Sequence, residues 1–156
     1  MPVPVVVGVA DVKNASLKVE DAVEPMKLML QAIREAAEDS GSSATTLLSQ
    51  IDSVAIVRTW TWPYADLPTL LSEKLGIKPK YKHYTEHGGN QPGKIFDDAA
   101  RQISKGESKI AVVTGGEALA SCEYIKLPAE GRRIHDDPSK CLCSGRKAST
   151  RWLVSS

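Results

Sequence analysis

The hydrophobic positions fall into short β-branched runs separated by stretches with helical spacing. Val3 to Val9 is a β-branched run broken only by Pro4 and Gly8, which predicts a fully buried first strand. Asp11 to Ala22 is polar and reads as a loop. From Glu24 the period changes. Met26, Met29, Leu30, Ile33, Ala36 and Ala37 recur at helical spacing, with Pro25 in the first turn and Gly41 just past the end. Ile51 to Arg58 predicts a second strand. Leu67, Leu70, Leu71 and Leu75 mark a second helix running from about Pro68 to Leu75, with Gly76 as its stop. Tyr81 to Thr85 predicts a third strand, and Pro92 opens a third helix that ends before Gly106, with Ile95, Phe96, Ala99, Ala100 and Ile103 on its apolar face. Lys109 to Val113 predicts a short buried strand.

The order is strand then helix, three times, and then a strand. That alternation predicts an α/β fold, with a mostly parallel sheet and helices on its faces. Ligands of such sheets sit beyond the carboxyl ends of the strands. Three segments fall there: the loop Trp60-Thr61-Trp62-Pro63-Tyr64, the turn His87-Gly88-Gly89-Asn90, and the turn Thr114-Gly115-Gly116-Glu117.

Beyond Ser121 the periodicity stops, and the segment reads as an atypical, poorly ordered tail over 122–156 following a domain over 1–121. Charge changes at the same point. Residues 1–121 carry 13 Lys/Arg against 15 Asp/Glu, and residues 122–156 carry 7 against 4. All three cysteines, Cys122, Cys141 and Cys143, lie in this late segment. An odd cysteine count without a signal peptide argues against a disulfide framework.

With 42% hydrophobic and 25% charged residues, the composition is that of a globular domain. A net charge of +1 gives no bulk attraction to nucleic acid or to a membrane surface. No apolar run approaches the roughly 20 residues of a membrane helix. The expected location is intracellular, cytoplasmic or peroxisomal, although Val154-Ser155-Ser156 is not a peroxisomal address.

Several segments together resemble the thiolase superfamily, in particular its type 1 thiolase-like, acetyl-CoA acetyltransferase-like members. They are Glu86-His87-Gly88-Gly89-Asn90-Gln91-Pro92 with the helix it opens, and Lys105 to Ala118 with its Val-Val-Thr-Gly-Gly-Glu core. Val5 to Ala10, the helix after Glu24-Pro25, and Ile51 to Arg58 also fit. The resemblance covers roughly residues 3–120. It implies an N-terminal thiolase-like half, acyl-CoA as ligand, a link to lipid metabolism and acyltransferase chemistry, and no covalently bound cofactor. It also implies a homodimer built through the Tyr81–Thr85 region.

In the family a cysteine at the N-terminus of the third helix takes an acyl group from CoA. A helix N-terminus favours a thiolate and an acyl oxyanion. Here that position falls on Gly89, or on Asn90 with a slip of one residue, and neither forms a thioester. The family's catalytic histidine, second cysteine and remaining CoA surface belong to a second half that residues 122–156 do not resemble. Cys141-Leu142-Cys143-Ser144-Gly145 has the wrong surroundings for the family's Cys-x-Gly motif. The resemblance therefore implies a chain that is inactive alone, with the late segment a truncated or mis-spliced end.

Each candidate has a plainer alternative. Gly88, Gly89 and Asn90 form either a ligand-facing turn or only a tight turn with a helix cap. His87 is a general base, or an exposed or structural histidine, and His83 is structural. Trp60 and Trp62 line an acyl pocket, or serve packing or a dimer contact. Cys122, His135, Cys141 and Cys143 lack zinc-site spacing, so no metal is expected. The functional alternatives are a non-catalytic acyl-CoA- or partner-binding module and a non-functional fragment.

Overall fold

The computed structural model describes residues 2–16, 18–60, 62–118 and 153–155. Five strands and four α-helices follow the chain: β1 (Val5–Gly8), α1 (Pro25–Asp39), α2 (Ala44–Ser49), β2 (Ser53–Ile56), α3 (Leu67–Leu75), β3 (Tyr81–Tyr84), α4 (Gln91–Ser104), β4 (Ile110–Thr114) and β5 (Leu153–Ser155). A single turn of 3-10 helix at Val19–Asp21 interrupts the segment predicted as loop.

The strands form one sheet in the order β1-β5-β4-β2-β3. β2 pairs in parallel with both β3 and β4, with Ile56 level with Tyr84 and Thr114. β5 is antiparallel to β1 and to β4. Four strands therefore point one way and β5 alone runs against them. The expected strand-helix alternation and mostly parallel sheet are present.

Alternate residues of the central strands feed two cores, as the two-residue period of a strand requires. Val54, Ile56, Ile110 and Val112 pack with Met29, Ile33, Leu67 and Leu71 on the α1 and α3 side. Ala55, Ala111 and Val113 pack with Ile95, Ala99 and Ile103 of α4 on the other. Local chemistry sets the helix ends. Asp66 Oδ1 accepts from Thr69 N at 3.1 Å to cap α3, Pro68 sits in its first turn, and Gly76 at φ 70° ends it in the left-handed region.

Three sequence expectations need correction. β1 is not fully buried: Val3, Val5, Val6 and Val9 are 74%, 49%, 43% and 44% exposed. Among the described residues it is the outermost strand of the sheet, with no strand on its far flank. It is nonetheless pressed onto α1 at one point, where a Cβ on Gly8 would lie 2.0 Å from the Ala36 carbonyl oxygen. Helix α2 was not expected: it is six residues long, and its apolar face of Ala44, Leu47 and Leu48 packs on the core only partly buried, too short a stripe to show a helical period. Strand β5 lies within the segment read as having no elements, and three residues are too few to display a period of two. The rest of 122–156, including Cys122, His135, Cys141 and Cys143, lies outside the described residues.

Candidate functional site

The loops after β2, β3 and β4 meet at the carboxyl end of the sheet. Trp60, from the loop after β2, stacks on His87, from the turn after β3, with ring centroids 4.5 Å apart and planes tilted by 35°. Glu117, from the turn after β4, accepts a hydrogen bond from Trp60 N. A stacking contact and a charged acceptor thus tie the three loops together. Trp60 remains 76% exposed, so one face of this assembly is open to solvent. Beside it, Arg58 stands 5.3 Å over the Tyr84 ring and 3.6 Å from the Glu86 carboxylate.

The turn Gly88-Gly89-Asn90 leads into α4. Asn90 occupies the N-cap position, but its side chain makes no cap bond. Its backbone is already near-helical, at φ −87° and ψ −10°, whereas a capping side chain needs an extended backbone to reach back. The expected side-chain cap is therefore corrected to a backbone one: Lys94 N donates to Asn90 O at 3.1 Å. Gln91 N is spent on Gly88 O at 3.1 Å, and Pro92 has no N–H. Among the described residues, the Gly93 N–H is left without an acceptor. A Cβ on Gly89 or Gly93 would meet nothing within 4 Å, so no neighbour dictates glycine at either position. The first turn of the helix thus leaves one backbone donor unused among the described residues.

The other side of the sheet end is closed. The Tyr64 hydroxyl donates to Glu24 Oε2 at 3.1 Å and accepts from Met26 N at 3.4 Å. Burial, with the adjacent Glu24 carboxylate, pushes its phenol well above the ordinary value of 10.0. Thr59 Oγ1 donates to Trp62 O at 2.6 Å and lies 3.3 Å from the Tyr84 hydroxyl. Among the described residues, two buried polar atoms beneath this end lack partners, Trp62 Nε1 and Thr114 Oγ1.

The structure therefore separates the two tryptophans of the predicted loop. Trp60 joins His87 in the open, and Trp62 turns its indole nitrogen inward. His83 is exposed on β3. Glu24 and Arg58 were not singled out from sequence, and Glu117 was named only as the end of the Thr114–Glu117 turn, without a role. Among the described residues, no group of three or more His, Cys, Asp or Glu is placed to hold a metal.

Many solved structures share this fold. A type 1 SCP2-thiolase-like protein from Mycobacterium smegmatis superposes with a TM-score of 0.63 at 24% identity, over 74% of this chain and 23% of that one. OleA from Xanthomonas campestris, in a C143S form with bound lauric acid and lauroyl-CoA, gives 0.70 at 15% identity over 99% of this chain and 56% of that one. The 3-oxoacyl-[acyl-carrier-protein] synthase III of Aquifex aeolicus gives 0.68 at 14% identity, over 98% and 54%. This chain has the thiolase-like fold. The chain spans 23% of the first of these proteins and little more than half of the other two. No family model matches the sequence, and neither does any curated protein.

Proposed function

We propose that this chain is a thiolase-like protein that binds an acyl thioester such as acyl-CoA at the β3–α4 turn without forming an acyl-enzyme there. One observation carries this reading. The helix end that the resemblance assigns to the nucleophile holds Gly89 and Asn90, with the unpartnered Gly93 N–H beside them. A helix N-terminus can hold a carbonyl oxygen. Neither glycine nor asparagine can take the acyl group. The exposed Trp60–His87 stack supplies an apolar wall next to that turn.

Acyltransferase chemistry, acetyl-CoA acetyltransferase activity above all, belongs to this reading as the ancestral activity rather than as that of the chain alone. Support for acyl-CoA as ligand comes from the fold's likeness to OleA, which holds lauroyl-CoA. Self-association through Tyr81–Thr85, also implied by the resemblance, has an open strand edge in its favour and a lysine row against it. Among the described residues no helix is long and apolar enough to cross a membrane.

The test is a calorimetric titration with acetyl-CoA beside an acyl-transfer assay on the full chain. The expected result is saturable binding without turnover, weakened by Gly93→Pro, which removes the free donor. Turnover that survives Asn90→Ala overturns the reading. Absence of binding in a folded sample favours a module that binds a protein partner instead.

A further inference from the structure

Glu117 stands on firmer ground than the residue it holds. Val57 N donates to Thr114 O at 2.8 Å, so β2 and β4 stay paired up to the turn that carries Glu117. Gly115 in that turn is pressed onto the end of β2: a Cβ there would lie 2.9 Å from Val57 Cβ. Ala118, directly after Glu117, is buried with Leu28 of α1. The backbone on either side of Glu117 is thus anchored, and Glu117 itself is half-buried.

The loop after β2 is tied at its base and open at Trp60. Arg58 N donates to the buried Thr85 Oγ1 at 3.0 Å. Thr59, also buried, donates from Oγ1 to Trp62 O at 2.6 Å. Trp60 lies between these ties with its side chain in solvent, so apolar burial does little to set its place. Among the described residues its ring contact is with His87, which is exposed as well. A stack of two exposed rings buries little area, so the backbones must be placed before the rings can meet.

The bond from Trp60 N to the Glu117 carboxylate does that placing. A backbone N–H bound to an ionised carboxylate makes one of the stronger hydrogen bonds a protein has. Glu86, the carboxylate next to His87 in sequence, faces Arg58 at 3.6 Å instead. A group that acts by holding another must itself stand on a rigid element, and of this pair only Glu117 does.

We propose that Glu117 is the positioning residue of the site. Its carboxylate sets where the Trp60–His87 stack stands beside the β3–α4 turn, and through the stack it sets the affinity for an acyl thioester. Glu117 makes no bond to the ligand in this scheme and acts through Trp60. The affinity half rests on acyl-thioester binding at that turn, and the positioning half does not.

The experiment reads the imidazole protons of His87 by NMR in the full chain, with His87→Gln to assign them among the three histidines. An indole whose ring centroid lies 4.5 Å away displaces these signals by its ring current, and Trp60→Ala gives their undisplaced position. Glu117→Ala is expected to move them most of the way to that position. Glu117→Gln keeps an acceptor and is expected to move them far less. In calorimetric titration, Glu117→Ala is expected to weaken acetyl-CoA binding about tenfold, and Glu117→Gln to recover most of that loss. Circular dichroism checks that each variant is folded; if Glu117→Ala is not, Glu117→Asp, whose carboxylate falls one methylene short, is read in its place with the same expectations. Signals that stay put in the shortened variant overturn the positioning role. Signals that move while affinity holds overturn the link to the ligand. If the unaltered chain does not bind acetyl-CoA, the affinity half falls together with the acyl-thioester reading, and the His87 signals alone decide the positioning half.

Discussion

The two sides of the sheet's carboxyl end differ in how far their polar groups are used. On the α1 and α3 side, Tyr64, Glu24, Thr59 and Tyr84 are linked by hydrogen bonds over a dense apolar core. On the α4 side, Gly89 and Gly93 face empty space, Asn90 leaves its side chain uncapped, and Trp60 stands exposed. The first side is tied together internally, although Trp62 Nε1 and Thr114 Oγ1 lack partners among the described residues, and the second leaves an aromatic ring and a helix end open. In a marginally stable domain, unspent donors and exposed aromatic rings at one spot mark where a ligand or partner is expected to complete the structure.

Substitutions on each side break or sharpen that contrast. Leu71 is fully buried on the α3 side, and Leu71→Ala is expected to cost about 3 kcal/mol in denaturant unfolding. A loss below about 1 kcal/mol would show that this side is not the closed one. Tyr64→Phe removes a hydroxyl with two partners and is expected to cost about 1 kcal/mol near neutral pH. It also tests the sign of the titration. The folded-state phenol is raised above its unfolded value of 10.0, so the folded form binds the proton more tightly. Stability is full below pH 10 and declines above it, and Tyr64→Phe is expected to flatten that alkaline decline.

On the open side, Gly93→Ala is expected to raise stability by roughly 0.5–1 kcal/mol, since alanine is the better helix former and nothing lies within 4 Å of the new Cβ. The same change is expected to weaken acetyl-CoA binding by crowding the Gly93 N–H. Stability and binding moving together would end the contrast between the sides. The smallest effect belongs to Trp60→Ala, within about 0.5 kcal/mol in stability, because the ring is exposed. It is expected to abolish any change in tryptophan emission that acetyl-CoA produces through the Trp60–His87 stack.

Much of the fold was legible because punctuation and period agreed. Asp66, Pro68 and Gly76 bracket a leucine stripe, and α3 forms between them. Pro25 and Gly41 bracket α1 in the same way. Where the two signals disagreed or were missing, the reading failed. The valines of β1 look like a core strand, but burial is decided by a strand's place in the sheet, which periodicity does not encode. α2 is too short for its partly buried Ala44, Leu47 and Leu48 to display a period, and β5 is too short to have a pattern. At the site, the three converging loops were legible from topology, since all follow strands with the same direction. The Trp60–His87 stack and the Glu117 bond were not, because they depend on side-chain directions in irregular loops. Asn90 misled for a physical reason: residue type predicts a cap, but backbone angle decides whether the side chain can reach.

The placement of β5 bears on how the chain comes together. β2, β3 and β4 find each other through crossovers of modest length and can assemble as a parallel trio with α3 and α4. β1 has no such route. Its pairing partner, with Val5 opposite Ser155, lies nearly the whole of 156 residues away. During synthesis β1 leaves the ribosome before the other described strands and waits longest for its partner, because ordering so long an intervening segment delays its contact. Until β5 arrives, a valine-rich strand has neither of its edges paired, and α1 is its one stable neighbour. Chaperone capture or misassociation of the nascent chain is therefore expected to concentrate on the valine-rich β1 segment.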